Sequence, residues 1–437
     1  AVECGSEGPV VAIKAMGPST DEGFSTAVFE AELLRRLASH LPAEACGRVP
    51  KYIGHSATRR EAGGTVHVAM SFLPGQVLDH WLYGISDEAH KHVDIAKIVN
   101  GGLPGSRQHS MSIEASCGIV RELLQHLSSV FAALQPLALH RDVSSHNVLV
   151  DFNSAGCSGA PSFALIDFGL AVGAASWPRD WNASNLAGDP RYWTPAAWMA
   201  LALGFRHVES HPNRGFQRQY IQRIDHYGLG VLGLELLFAL WDPDQCHEEA
   251  AAGLRQARSA WCAFWALKFR LFQMFHLQGA RATQQYLDSS PHNPLERLCE
   301  LLAGVCHSLR AAAAHPANAG QALLFRVLAD LVDEGGSLSW AEVRATLPAG
   351  RPAAPMSPSA AVLSPVHSSS GAAPCIMRQR SPPPALTAIV ATRAAAPVLA
   401  IPRTPIAVTA PVTPVAGAAP FPQRLSLGPA RMACRAA

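Results

Sequence analysis

The sequence predicts an α+β fold, with a small strand-rich part first, a larger helical part after it, and a low-complexity tail at the C-terminal end. Three observations predict it. Short apolar runs of strand character fall within the first 75 residues. From residue 223 to about 345, apolar positions recur at helical spacing almost without a break. From Ala349 to Ala437 there are 16 prolines and neither Asp nor Glu.

Taken in order, "VVAIKAM" (10–16) reads as a strand, and "TAVFEAELLRRLASHL" (26–41) carries apolar residues at 29, 33, 34, 37 and 41, the stripe of an amphipathic helix. "TVHVAMSFL" (65–73) reads as a second strand, ended by Pro74-Gly75. "IEASCGIVRELLQHLSSVFAALQPL" (113–137) is a long helix that leads into "LHRDVSSHNVLVDF", where a loop enters the strand "VLV". A further apolar run, "SFALIDFGL", ends at Asp167. The stretches 83–111 and 151–161, rich in Gly, Ser and His, read as loop insertions, and from "RIDHYGLGVLGLELLFALW" (223–241) onward the pattern is helical. The tail cannot bury enough apolar area to offset the entropy of ordering it, and its prolines remove backbone donors, so it is expected to be disordered. It carries eight arginines, and Ser357, Ser364, Ser381, Thr404 and Thr413 each precede proline. Those pairs suit modification by a proline-directed kinase, or stand as chance pairs in a solvated tail.

Composition narrows the function classes. A net charge of +2 and a pI near 8.1 create no strong field, so nothing here argues for nucleic acid or an anionic membrane as partner. The ten cysteines are scattered without a C-x-x-C pair or zinc-spaced histidines, which reads as reduced thiols in a cytosolic or nuclear protein. The chain opens "AVECGSEGPV", with no methionine and no signal-peptide pattern, and is expected to be a fragment. The apolar residues of 385–420 are interrupted by Arg393, Arg403 and prolines, short of the ~18 clean apolar residues a membrane helix needs.

Chemistry concentrates at a few positions. In "HRDVSSHN" the asparagine follows Asp142 by five positions, so one loop can aim Asp142 at a substrate hydroxyl and Asn147 at a metal ion. Asp167 at a strand end suits Mg²⁺ bridging nucleotide phosphates, with Gly169 letting the backbone turn away. Lys14, one of only five lysines, sits in an apolar strand as a point charge for phosphates, and Glu30 or Glu32 on the next helix can pair with it. His140 and Arg141 read as supports of the loop, and His146 as a bystander.

Together VAIK, HRD-x4-N and DFG, in that order, resemble the protein kinase family over about residues 1–345. The resemblance implies a two-lobed fold, with residues 1–348 as the kinase-like domain: 1–74 a partial small β-rich lobe, 75–348 a large helical lobe with insertions, and 349–437 the tail. It implies ATP and Mg²⁺ as cofactors, bound between the lobes. Lys14 would contact the phosphates and pair with Glu30 in preference to Glu32, because "EAELLRRL" resembles the small-lobe helix. "VAMSFLPG" resembles the hinge, with Met70 guarding the back pocket and the backbones of Ser71 and Leu73 contacting adenine. Asp142 would be the catalytic aspartate, Asn147 and Asp167 the metal ligands. Asp225 in "DHYGLG" would brace the catalytic loop.

The sequence also departs from the family. Ser144 stands where most Ser/Thr kinases carry the lysine that steadies the transferring phosphoryl group. In "GDPRYWTPAAW" (188–198), Asp189 replaces a threonine and Ala196 the glutamate of the usual buried ion pair. The losses at 144 and 189 read as one coordinated change, since the family's lysine and threonine contact each other. No Gly-rich loop precedes Lys14, and "GSEG" (5–8) is too close to serve. The expected function is therefore an ATP-dependent kinase acting on Ser or Thr of a protein substrate, with a pseudokinase that binds nucleotide or scaffolds partners through its tail as the alternative. A small-molecule kinase of similar fold is a third reading, weakened by the DFG.

Overall fold

The computed structural model describes residues 10–61, 63–84, 111–152, 160–243, 248–290 and 293–347, which fall in one compact unit. The first nine residues, most of both expected insertions, and the tail from 349 lie outside the described residues. The described part is α+β, mostly helical with small antiparallel sheets.

The smaller part comprises β1 (Val11–Met16), α1 (Asp21–Leu37), β2 (Tyr52–Arg59) and β3 (Gly64–Ser71). The strands pair antiparallel in the order β1-β3-β2, with Lys14 opposite Val68. Side chains alternate across a strand, so Val66 and Val68, both fully buried, anchor one face of the sheet. Helix α1 begins at Asp21 rather than Thr26 because the Thr20 side chain accepts the Gly23 N–H, and Asp21 and Glu22 occupy the first turn, where the helix dipole favours negative charge. Strand β2 has no counterpart among the strands expected from the sequence: it is largely exposed, and its polar residues blur the alternation.

In the larger part, β4 (Gln76–Val77) and α2 (Leu78–Tyr83) precede α3 (Ile113–Leu134). Four short strands come next: β5 (Ala138–Leu139), β6 (Val148–Asp151), β7 (Ser162–Leu165) and β8 (Val172–Gly173). Their pairing positions the chemistry. β6 pairs with β7, Val148 opposite Leu165, and β5 pairs with β8, Leu139 opposite Val172. The loops 140–147 and 166–171 are thus clamped side by side at both ends, and Ile166 N–H donates to the Asn147 carbonyl at 2.9 Å between them.

The remaining helices are α4 (Trp177–Asp180), α5 (Pro195–Leu203), α6 (Phe205–Glu209), α7 (Arg214–Gln222), α8 (Ile224–Leu240), α9 (Glu248–Gln278), α10 (Ala280–Ser289), α11 (Pro294–Ala314), α12 (Ala322–Val332) and α13 (Trp340–Thr346). Every residue of α8 from Asp225 to Leu240 is buried, as expected of a helix apolar all round. Gly228 lets the loop at Val143 rest directly on α8, since a Cβ at 228 would stand 2.9 Å from Val143 Cβ. Helix α13 starts in a Ser339/Glu342 capping box, and the Trp340 ring stacks 3.6 Å from His226 and 4.8 Å from Phe131. Among the described residues no helix is long and apolar enough to cross a membrane.

Candidate active site

Lys14 on β1 donates to both oxygens of Glu30 on α1, at 2.7 and 2.9 Å, and to Asp167 Oδ1 at 2.7 Å. This one ammonium links strand β1 and helix α1 of the smaller part to Asp167 of the larger part. Glu30 is 2% exposed, whereas Glu32 lies on the surface and pairs with Arg35. Burial alone would lower the Lys14 pKa, but Glu30 and Asp167 outweigh it and hold the ammonium charged. Burial lifts the Glu30 carboxyl above its ordinary value against the pull of Lys14. At Asp167, burial is outweighed by Lys14 and the Gly169 N–H, and the carboxyl lies below its ordinary value. Asp167 takes a backbone φ of +62°, a conformation that L side chains rarely adopt.

Asp142 sits in the adjacent loop. Its Oδ2 accepts from Asn147 Nδ2 at 2.7 Å and its Oδ1 from the Asp189 N–H at 2.9 Å. Burial raises its pKa; His146 and the Asp189 N–H oppose this. The loop is braced from below by Asp225 on α8, whose two carboxylate oxygens accept the N–H groups of His140 and Arg141, each at 2.8 Å. Burial lifts Asp225 to about 6. The His140 ring packs edge-on against Phe168 at 5.0 Å, tying the two loops together. Arg141, at φ +67°, places its guanidinium 4.5 Å from the Trp177 ring and donates to the Asn185 carbonyl at 2.7 Å. That holds the segment after Asp167 against the loop.

Several groups of this site are assigned no part in the chemistry by the sequence alone. The ring of His146, expected to be a bystander, lies 3.3 Å from Ser144 Oγ, 3.5 Å from Asp189 Oδ2 and 4.0 Å from Asp142 Oδ2. The loop folds back on itself between β5 and β6, which turns position 146 toward the carboxylates. Asp189 binds the buried Arg191 through Nε at 2.8 Å and Nη2 at 2.6 Å. The Tyr192 hydroxyl donates to Glu235 on α8 and lies 2.8 Å from Ser145 Oγ, with Tyr83 holding the other Glu235 oxygen at 2.8 Å. Lys268 on α9, fully buried, donates to the Trp193 carbonyl at 2.7 Å and to Tyr227 Oη at 3.1 Å. It ties down the end of the segment near the buried Ala196. A signal existed for two of these: Glu235 in "LGLELLFAL" and Lys268 in "FWALKFRLF" are single charges in apolar helical runs, which only a buried partner tolerates.

The residues expected to form a hinge are placed less completely. Met70 is half-buried on β3, opposite Ala12. The Ser71 N–H is taken by the Lys51 carbonyl at 2.8 Å, so that N–H does not serve a ligand. Leu73 N–H has no hydrogen bond among the described residues. Leu73 and Pro74 line a separate cleft of about 450 Å³ that includes none of Lys14, Asp142, Asn147 or Asp167.

Two oxygen donors fit a hard cation. Asn147 commits its Nδ2 to Asp142, which leaves Oδ1 buried with no hydrogen-bond partner among the described residues. Asp167 offers a carboxylate whose hydrogen bonds all fall on Oδ1. Among the described residues no cluster of three or more His, Cys, Asp or Glu could hold a metal, so any cation here would take its other ligands from phosphate or water.

A small strand-bearing part and a large helical part are thus linked at a lysine shared by two carboxylates. No protein-family model and no curated protein matches the chain. Among solved structures it is similar to the Cydia pomonella granulovirus kinase PK-1, at 15% identity and a TM-score of 0.29, over 53% of this chain. The match spans 61% of that kinase's chain.

Proposed function

We propose that the chain is an ATP-dependent protein kinase that transfers the γ-phosphoryl group to a Ser or Thr hydroxyl. The observation that carries this reading is the convergence of Lys14, Glu30 and Asp167, from three distant stretches of sequence, on one charged site beside Asp142 and Asn147. In this reading Lys14 meets the phosphates, and the Leu73 N–H and the Ser71 carbonyl offer an edge for adenine. Asp167 and Asn147 Oδ1 would hold Mg²⁺, which offsets phosphate charge when bound. Asp142 orients the acceptor hydroxyl and takes its proton as the new oxygen–phosphorus bond forms and the bond to ADP breaks. Burial suits Asp142 to that task by raising its proton affinity.

A second reading, a nucleotide-binding module without transfer, is favoured by the saturation of Asp142: both oxygens already accept hydrogen bonds from the chain itself, and Ser144 offers no cation. One comparison separates the two. Mg-ATP should raise the melting temperature of both wild type and Asp142→Asn, while radiolabel transfer should fall about 10²–10⁴-fold in the variant. No transfer in wild type would leave only the binding module, and equal transfer in both proteins would remove Asp142 from the reaction.

A further inference from the structure

Apart from Leu73, the residues that wall the 450 Å³ cleft behind Leu73 and Pro74 take no part in the proposed reaction. Three carboxylates line it: Glu44, Glu122 and Asp151. Arg48 also lines it, but donates to Ser162 Oγ and to the Phe163 carbonyl. His126, 3.4 Å from Glu122, is driven by burial, with a smaller push from Arg48, to a pKa of about 3, so it brings no charge at neutral pH. Among the described residues no Lys or Arg lies within ion-pair distance of Glu122, which is only 22% exposed. The cleft is half-buried and predominantly acidic.

The described chain ends at its rim. The Leu347 carbonyl accepts from Gln125 Nε2 at 2.5 Å, and Gln125 precedes His126 on α3 and lies just under one turn past Glu122, about 4.5 Å of rise. Arg344 on α13 pairs with Glu44 at 2.7 Å. Residues 349–437 contain eight arginines and no acidic residue, the first arginine being Arg351, four residues past Leu347 and within about 13 Å of extended chain.

We propose that the segment after Leu347 docks in this cleft in cis, with the Arg351 guanidinium between Glu122, Asp151 and Glu44. Charge complementarity and the exit point of the chain select this occupant over a second molecule. Because Leu73 and Pro74 form one wall, docking also braces the stretch assigned to the adenine edge, a consequence that rests on the kinase reading.

The test uses the full chain. In Arg351→Lys, which keeps the charge, carbodiimide should join the new amine to Glu44, Glu122 or Asp151 within one molecule, as read by peptide mapping of mixed heavy- and light-isotope protein. In wild type, amides of 349–356 should exchange about tenfold more slowly than those of 386–396, and Arg351→Glu should abolish the difference. A cross-link formed only between heavy and light chains would assign the cleft to a second copy. Absence of any such cross-link together with equal exchange in both segments would overturn the docking. Arg351→Glu should also weaken Mg-ATP binding about fivefold. Cross-linking in a protein that binds no nucleotide would sink the kinase reading and leave the docking intact.

Discussion

Replacing Lys14 with methionine keeps the aliphatic length and removes the cation that Glu30 and Asp167 share. Removing one partner of a buried ion pair costs about 3–5 kcal/mol. Lys14 and Asp167 keep 30% and 34% of their side-chain exposure, so screening holds the loss near the lower end, about 3 kcal/mol at pH 8. In a domain of this size that is a fall of roughly 6 °C in melting temperature. The deficit should depend on pH. Glu30 already has a folded pKa above its reference value of 4.5 because of burial, and without Lys14 it rises further. A carboxyl that binds its proton more tightly in the folded state loses stability as pH rises from its unfolded value through its folded one. The Lys14→Met deficit should therefore shrink as pH falls from 8 to 5, because Glu30 takes up a proton more readily in the folded variant. Lys14→Met/Glu30→Gln, with no unpaired buried carboxylate on α1, should recover about half of the loss at pH 8. Urea denaturation of the three proteins at pH 5, 6.5 and 8 reads these quantities. A deficit independent of pH, or a double variant as unstable as the single one, would refute the assignment of Lys14 as the neutralising partner of Glu30.

Gly188→Ala should cost about 2 kcal/mol and reduce phosphotransfer more than binding: at φ +86° its new Cβ would lie 2.5 Å from the Arg141 carbonyl and 3.1 Å from Asp142 Oδ1. An unchanged denaturation midpoint would contradict this. Tyr192→Phe should cost about 2 kcal/mol, since it strips one donor from the buried Glu235 and leaves the Ser145 N–H unpaired; a denaturant series on that variant checks it. Lys268 has a folded pKa well below 10.5 because of burial, with Asp189 opposing, so wild-type stability should rise with pH through that window. Lys268→Met should flatten that slope, and parallel stability curves from pH 7 to 9.5 would show that Lys268 does not titrate there.

The sequence by itself determined the order of strand-rich and helical stretches, and it singled out positions suited to phosphate and cation chemistry. Strand β1, helices α1, α3 and α8, and the loop-then-strand at 140–151 were legible because each has an apolar period that only one kind of element satisfies. Asp142, Asn147 and Asp167 were legible because their types and spacing suit phosphate and cation chemistry. What only the tertiary structure decided lies in contacts across long separations. Glu30 and Glu32 are like charges two residues apart that the sequence ranks only through a resemblance; the packing of α1 turns Glu30 toward Lys14, 16 residues away, and leaves Glu32 to solvent. His146 gained its place beside Asp142 and Asp189 from the pairing of β5 with β8 and β6 with β7, which folds two loops against each other. Arg191, Tyr192, Glu235 and Lys268 form buried polar contacts whose partners sit 2 to 152 positions apart. Local periodicity carries no record of such pairs, because a buried charge is tolerated only where the packed chain brings it a partner.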